Sequence, residues 1–199
     1  FNDEKVIESF RDSQHRVKSM ALVHEKLYQS EDMISVDFAD YIQNLTNYLF
    51  GAYSVGDRNI SLKLDVDNVF LGMDTAVPLG IIINELVSNA LKHAFSEGES
   101  GEICVCLKKE GNGRTGTEPE HARTGKENKA EIQGNCFSLV VRDNGKGFPE
   151  EIDFRETDSL GLQLVITLVD QIEGSIELDT GMGTKFGIRF RELRYRQKM

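Results

Sequence analysis

The stretch from Asp74 to Phe95 restricts the fold more than any other. Its longest nearly apolar run, Val77 to Ile83, is too short to span a bilayer, and Asn84 and Glu85 follow it directly. Ala76, Leu79, Ile82, Ile83, Leu86, Ala90 and Ala94 recur at helical spacing and define a buried side. The pattern predicts a helix over 74–95, with Asp74 as its N-cap and Pro78 tolerated within the first turn. Glu85, Asn89 and Lys92 stand at i, i+4 and i+7 on one stripe beside that apolar side, and His93 borders them. A helix of this kind needs a second layer to cover.

Strand-like runs supply that layer. Ile60 to Val66 alternates as a half-buried strand. Apolar runs at 102–107 and 136–142 read as two more strands. The segments 175–179 and 185–190 form a closing hairpin around the turn Thr180-Gly-Met-Gly183. A helix over about 159–173 precedes that hairpin, with Gly174 in the C′ position. Nearer the start, Ser30 to Val36 reads as a connector. Asp37 caps a helix whose apolar face is Phe38, Tyr41, Ile42, Leu45, Tyr48 and Leu49. The alternation predicts an α+β fold, a two-layer α/β sandwich in which a mixed or antiparallel sheet carries helices on one face.

One more helix stands in front of this unit. From Asp3 to Ser30, Val6, Phe10, Ser13, Val17, Met20, His24 and Leu27 follow the alternating three- and four-residue spacing of a bundle seam. A single helix cannot bury such a stripe alone, so a partner helix is expected, from upstream of Phe1 or from a second chain. The organisation read here is a bundle helix over 1–30, a sandwich domain over 31–192 and a basic tail over 193–199. Six basic and five acidic residues lie among Gly, Thr and Asn between Lys108 and Glu131, so 108–134 reads as a flexible insertion joining two strands.

Composition excludes some functions. The net charge of −10 argues against nucleic acid or an anionic membrane surface as the main partner. No signal-peptide pattern opens the chain. Three cysteines give no disulfide framework and fit a reducing compartment. Cys104 and Cys106 share a strand face and read as core packing rather than as metal ligands.

Four polar or glycine-containing clusters remain. The Glu85, Asn89 and Lys92 stripe offers a carboxylate, an amide oxygen and an ammonium, a set suited to Mg²⁺ and phosphate but equally to a solvated helix face. Asp143-Asn-Gly145-Lys-Gly147 follows an apolar strand and allows either close backbone approach to a ligand or a plain turn. Gly161 opens a helix whose free N–H groups suit an anion. Gly181-Met-Gly183-Thr184 is a hairpin turn. None has the spacing of a P-loop or a dinucleotide fingerprint.

Their order carries more weight than any one of them. Asn84-Glu-Leu-Val-Ser-Asn89-Ala-Leu-Lys92-His93-Ala, Asp143-Asn-Gly-Lys-Gly-Phe148, Ser159-Leu-Gly-Leu162 and Gly181-Met-Gly-Thr184 resemble the N, G1, G2 and G3 boxes of the Bergerat-fold ATPases. That superfamily is shared by gyrase, the Hsp90-type chaperones, sensor histidine kinases and MutL. Arg16-Val-Lys-Ser-Met-Ala-Leu-Val-His24-Glu-Lys-Leu-Tyr28 resembles the second bundle helix of one histidine-kinase subgroup. The resemblance implies ATP and Mg²⁺ as ligands. It makes Asn89 the Mg²⁺ ligand and Glu85 a carboxylate that orients or accepts a proton at the attacking group. Lys92 and His93 become phosphate-side contacts, and Asp143, backed by Thr184, receives the adenine amino group. Gly145 and Gly147 let the chain pass the nucleotide. Gly161, with the N–H groups of Leu160 and Leu162, cradles phosphates under a lid formed by 149–160. Two departures stand out: the lid is short and has no obvious aromatic box, and Ser159 replaces a glycine common in relatives.

The implied activity is transfer of the ATP γ-phosphate to a bundle histidine, for relay to a response-regulator aspartate. The implied assembly is a homodimer through the bundle with an upstream sensor domain. His15 matches the second bundle helix rather than the acceptor position and is read as facing the polar side with Glu8, Arg11 and Lys18. His24 falls on the bundle seam, and His93 lies in the nucleotide site. The acceptor is therefore expected upstream of Phe1. The alternatives are an ATPase of the gyrase or MutL kind and a docking module with a vestigial nucleotide site.

Overall fold

The computed structural model describes residues 4–29, 35–53, 59–96, 98–110, 135–149 and 151–192. Four helices and seven strands follow in chain order. They are α1 (Glu4–Gln29), β1 (Ser35–Asp37), α2 (Phe38–Ala52), β2 (Ile60–Val66), β3 (Phe70–Gly72), α3 (Met73–His93), β4 (Gly101–Glu110), β5 (Cys136–Asp143), α4 (Leu160–Gln171), β6 (Ser175–Asp179) and β7 (Lys185–Arg191). The main sheet runs β2-β4-β5-β7-β6. The β2–β4 pair is parallel and the other pairs are antiparallel, so the sheet is mixed.

Strand alternation assigns the faces. Ile103, Val105, Leu107, Phe137, Leu139, Val141, Phe186, Ile188 and Phe190 are buried on one side. The register places Val105 beside Val141 and Val141 beside Phe186, so these side chains form one continuous apolar surface. Helices α3 and α4 cover it. The opposite face carries Lys108, Arg142, Lys185 and Arg189 beside its cysteines. There Lys108 bridges Asp65 at 2.5 Å and Asp67 at 3.0 Å. The predicted two-layer sandwich, with helices on one face of a mixed sheet, is the observed fold.

Every residue of the predicted buried side of α3 is buried. So are Asn84, Glu85 and Ser88, because α1, α2 and α4 enclose the helix as well. Its N-cap is Gly72, not Asp74, which lies inside the first turn. The start is earlier because β3 feeds directly into the helix. Pro78 consequently sits in the second turn, where it has no N–H to donate to the Asp74 carbonyl. At the end of α4, Glu173 rather than Gly174 takes the left-handed conformation, at φ 51°. The Glu173 N–H reaches Asp170 O at 3.0 Å and the Gly174 N–H reaches Val169 O at 2.9 Å, a Schellman closure displaced by one residue. Gly174 is needed for space: a Cβ there would lie 2.9 Å from Arg189 O.

The predicted connector 30–36 is partly a strand, since β1 pairs with β3 in a small antiparallel sheet. Lys108, Lys109 and Glu110 continue β4 rather than opening the insertion; the rest of that insertion and the 193–199 tail lie outside the described residues. The antiparallel pairing of β4 with β5 is what a hairpin connection across the insertion requires.

Helix α1 packs on α3 and α2 through a face that its apolar spacing does not reveal. His15, Ser19 and Val23 are buried there. Tyr41 of α2 reaches up between the helices: its hydroxyl lies 2.8 Å from Ser19 Oγ and occupies the space left by Gly80, where a Cβ would sit 2.0 Å away. Burial pushes the Tyr41 phenol pKa well above its ordinary value. The predicted seam points outward instead, with Val6, Phe10, Val17 and Met20 exposed. His15 does not face the polar side as expected. It is enclosed by α2, with Nδ1 3.0 Å from the Tyr48 hydroxyl and its ring 5.1 Å from that of Tyr53. Burial lowers the His15 pKa, partly opposed by Asp12.

Candidate functional site

A cavity of about 380 Å³ opens where α3, the end of β5, the start of α4 and the β6–β7 turn converge. That volume lies within the range of small-molecule sites. Asn89 and His93 contribute from α3, Asp143 and Gly147 from the strand end and its loop, Leu162 from α4 and Thr184 from the turn. Four separate sequence clusters thus meet around one space. Glu85, Lys92, Gly145, Leu160 and Gly161 do not line it, although all five adjoin residues that do.

Asp143 is the polar anchor of the cavity and is 6% exposed. Its Oδ1 accepts the Gly145 N–H at 2.9 Å and the Thr184 N–H at 3.2 Å. Its own N–H donates to Thr184 O at 2.9 Å. These bonds fix the carboxylate and leave Oδ2 with no hydrogen bond from a described residue. The two glycine motifs close around it. A Cβ on Gly145 would lie 2.1 Å from Ala94 O. Gly183 adopts φ +79°, and a Cβ there would lie 2.2 Å from Asp143 O. The glycines therefore bring the two loops close enough for Asp143 to hold both.

Asn89 also lines the cavity, and its side chain makes no hydrogen bond to a described residue, so its amide oxygen is available to a ligand. A cation that keeps most of its ligands as water and phosphate oxygens needs only one such protein oxygen, and Asn89 meets that requirement. Glu85, one turn earlier, is 3% exposed and points away from the cavity toward α1. Its Oε1 accepts Arg16 Nε at 2.7 Å and Asn84 Nδ2 at 3.0 Å, and its Oε2 accepts Arg16 Nη2 at 2.7 Å. This fork holds the Arg16 pKa above its ordinary value. Lys92 also turns to α1, where its ammonium donates to Asp12 at 2.5 Å and lies 5.9 Å from the centre of the Tyr53 ring. The stripe read from the sequence is thus divided: Asn89 and His93 face the cavity, while Glu85 and Lys92 face the bundle helix.

The sequence reading did not single out Lys146, Arg142, Thr157 or Ile152, which also line the cavity. Lys146 stands between the two glycines of its motif, and that position was its signal; the Lys146 N–H is tied to Ala94 O at 2.9 Å. Residues 151–158, in the segment expected to be a lid, contain short turns, and most of them are exposed. Phe154 is buried against Phe186 with ring centres 5.7 Å apart, and the Arg155 guanidinium donates to Ile176 O at 2.9 Å. This segment therefore carries one anchoring aromatic, set among polar residues in the sequence.

Residues 74–194 match the family model described as the histidine kinase-, DNA gyrase B- and HSP90-like ATPase, over more than half of the chain. The chain belongs to this ATPase family. Residues 1–53, which include α1 and α2, match a second model described as a histidine kinase. The sensor histidine kinase PdtaS of Mycobacterium tuberculosis is 34% identical over 183 residues, 92% of this chain and 30% of that protein. Blue-light-activated histidine kinase 2 of Erythrobacter litoralis is 26% identical over 172 residues, 83% of this chain and 42% of that protein. The chain thus spans less than half the length of either relative. The histidine kinase domain of the blue-light-activated kinase EL346 from Erythrobacter litoralis shares the fold, with a TM-score of 0.70 at 22% identity. That alignment covers 91% of this chain and 75% of the domain. Membership of this ATPase family implies a nucleotide as ligand, and the histidine-kinase model covers α1 and α2. Among the described residues no helix is long and apolar enough to cross a membrane, and no three His, Cys, Asp or Glu side chains gather as a metal centre.

Proposed function

We propose that this chain is the catalytic part of a cytoplasmic sensor histidine kinase that binds Mg·ATP and transfers its γ-phosphoryl group to a histidine on a preceding bundle helix. The observation that carries this reading is the pinned Asp143 carboxylate, which lines the same cavity as Asn89 and has one oxygen without a hydrogen bond from a described residue. Asp143 Oδ2 accepts from the adenine amino group, and Thr184 supports that contact. Asn89 holds Mg²⁺, which supplies neutralising charge to the phosphate oxygens. The N–H groups of Leu160, Gly161 and Leu162 at the start of α4 cradle phosphate, and no acidic side chain in that first turn opposes an anion. His93 and Lys146 add donors at the cavity wall, and Gly145 and Gly147 allow the backbone to pass the nucleotide. In the transfer, an N–P bond forms on the imidazole as the bond from phosphorus to the β–γ bridging oxygen breaks, and ADP leaves. Glu85 orients the attacking nitrogen or takes its proton. Positioning and charge neutralisation carry most of such a reaction.

Helix α1 (within a 1–30 segment) is the second helix of the dimerisation bundle, and 31–192 is the ATP-binding domain. The exposed Val6, Phe10, Val17 and Met20 stripe accepts the first bundle helix and its dimer copy. A response regulator then receives the phosphoryl group, and a sensor domain precedes the bundle. The histidine-kinase match over 1–53 favours this reading over a gyrase-type ATPase. Calorimetric titration with Mg·ATP tests it. Saturable 1:1 binding is expected, and Asn89→Ala should weaken binding in Mg²⁺ far more than in EDTA. No binding at millimolar ATP would remove the proposal.

A further inference from the structure

Each oxygen of a carboxylate can accept about two hydrogen bonds. Glu85 Oε1 uses both of its places, on Arg16 Nε at 2.7 Å and Asn84 Nδ2 at 3.0 Å. Oε2 uses one, on Arg16 Nη2 at 2.7 Å. The open place on Oε2 is therefore the only acceptor capacity that described neighbours leave on this buried side chain. Beside it lies the start of α4. A Cβ built on Gly161 would meet Oε2 at 2.6 Å and Glu85 Cδ at 3.7 Å, with Arg16 Nη2 at 3.9 Å. Glycine at 161 thus lets the first turn of α4 approach Oε2 more closely than any side chain would allow. The guanidinium fork is planar and bidentate, so it fixes the carboxylate plane as well as its charge. Arg16 comes from the bundle helix, 69 residues from Glu85 in the chain.

We infer that Arg16 is a positioning residue for phosphoryl transfer: docked from α1, it turns Glu85 so that Oε2 faces the turn of α4 that receives the phosphate. The inference rests on the kinase reading above. It adds that the acid–base group is set by the bundle helix and not by the nucleotide domain alone. Arg16 does not line the cavity, so it acts on the rate and not on ATP affinity. Asp12 holds Lys92 at 2.5 Å two turns further along α3, a second contact that fixes the same docking of α1.

The test uses the natural full-length protein and follows phosphohistidine formation from ATP with the variants Arg16→Gln, Arg16→Lys, Glu85→Gln and the double Arg16→Gln/Glu85→Gln. Arg16→Gln should lower kcat about 100-fold, the scale set by displacing a reacting group by an ångström. Its apparent KM for ATP should stay within about 2-fold of wild type. Arg16→Lys keeps the charge without the fork and should recover only part of the rate. The double variant should be no slower than Glu85→Gln, because Arg16 acts through Glu85. Wild-type kcat in Arg16→Gln, or losses that multiply in the double variant, would overturn the inference. An Arg16→Gln protein that melts far below wild type is replaced in these comparisons by Arg16→Lys, for which full wild-type kcat would overturn it equally. Full activity in Glu85→Gln would instead remove the role given to Glu85 in the kinase reading, a result separable from failure at Arg16 alone.

Discussion

Replacing Asp143 by Asn separates what this residue does for the fold from what it does for the ligand. Oδ1 accepts from Gly145 N at 2.9 Å and Thr184 N at 3.2 Å, and an Asn carbonyl oxygen can keep both bonds. The loss is the charge assistance of those bonds, about 1 kcal/mol, or about 2–4 °C in Tm for a chain of this size. The other position changes from an acceptor to an NH₂ donor that faces the adenine amino group. Losing a bond to a charged acceptor costs about 1.5–3 kcal/mol, and opposing two donors adds to it, so ATP affinity should fall about 100-fold. Inosine triphosphate provides the control, because it carries a carbonyl where ATP carries the amino group. The wild type should prefer ATP strongly, and Asp143→Asn should narrow that preference at least about tenfold. Calorimetry with both nucleotides and a melt of the free protein read all three quantities. Unchanged ATP affinity with unchanged preference would refute the reasoning. So would a large loss of stability with no change in selectivity, since Asp143 would then only tie the two loops together.

Two further outcomes follow from the same geometry. Burial holds the His15 pKa below its ordinary 6.5; the unfolded chain therefore takes up protons on this residue before the folded one. Stability is full above about pH 6.5 and is lost as the pH falls through that value toward the folded pKa. Thermal melts between pH 7.5 and 5.5 should show a fall that His15→Gln reduces, and an identical pH slope in the variant would contradict the assignment. Gly183→Ala forces a side chain into φ +79° with its Cβ 2.2 Å from Asp143 O. It should cost about 2–4 kcal/mol and weaken ATP binding by shifting Asp143, whereas near-wild-type melting and binding would argue against the tight closure of the two loops.

The sandwich was legible because its parts obey simple periods. Helix α3 buries every position its spacing assigns inward, and β5 and β7 alternate without interruption over their length. The cavity was legible as order: four glycine or polar clusters, each ambiguous alone, converge on one space. What the sequence hid has physical causes. Strands β1 and β3 are three residues each, too short to show a period. The apolar spacing of α1 points to Phe10 and Val17, but the face it buries within this chain carries His15, Arg16 and Ser19 beside Val23. That face is satisfied by partners on other helices, as Arg16 is by Glu85 and Asp12 by Lys92. Pairing across 69 residues leaves no local signal, so the division of the α3 stripe between cavity and bundle helix was invisible until the helices were in place. The positive φ of Glu173 was equally hidden, because Gly174 is the residue a pattern would choose.

The most direct test of the central claim incubates the natural full-length protein with Mg²⁺ and ATP labelled on the γ-phosphate, then asks where the label goes. Protein-bound label that is labile in acid and stable in alkali, as phosphohistidine is, is expected, and it should disappear in Asn89→Ala. Label released only as inorganic phosphate, with none on the protein, would identify a hydrolytic ATPase of the same fold and contradict the kinase assignment.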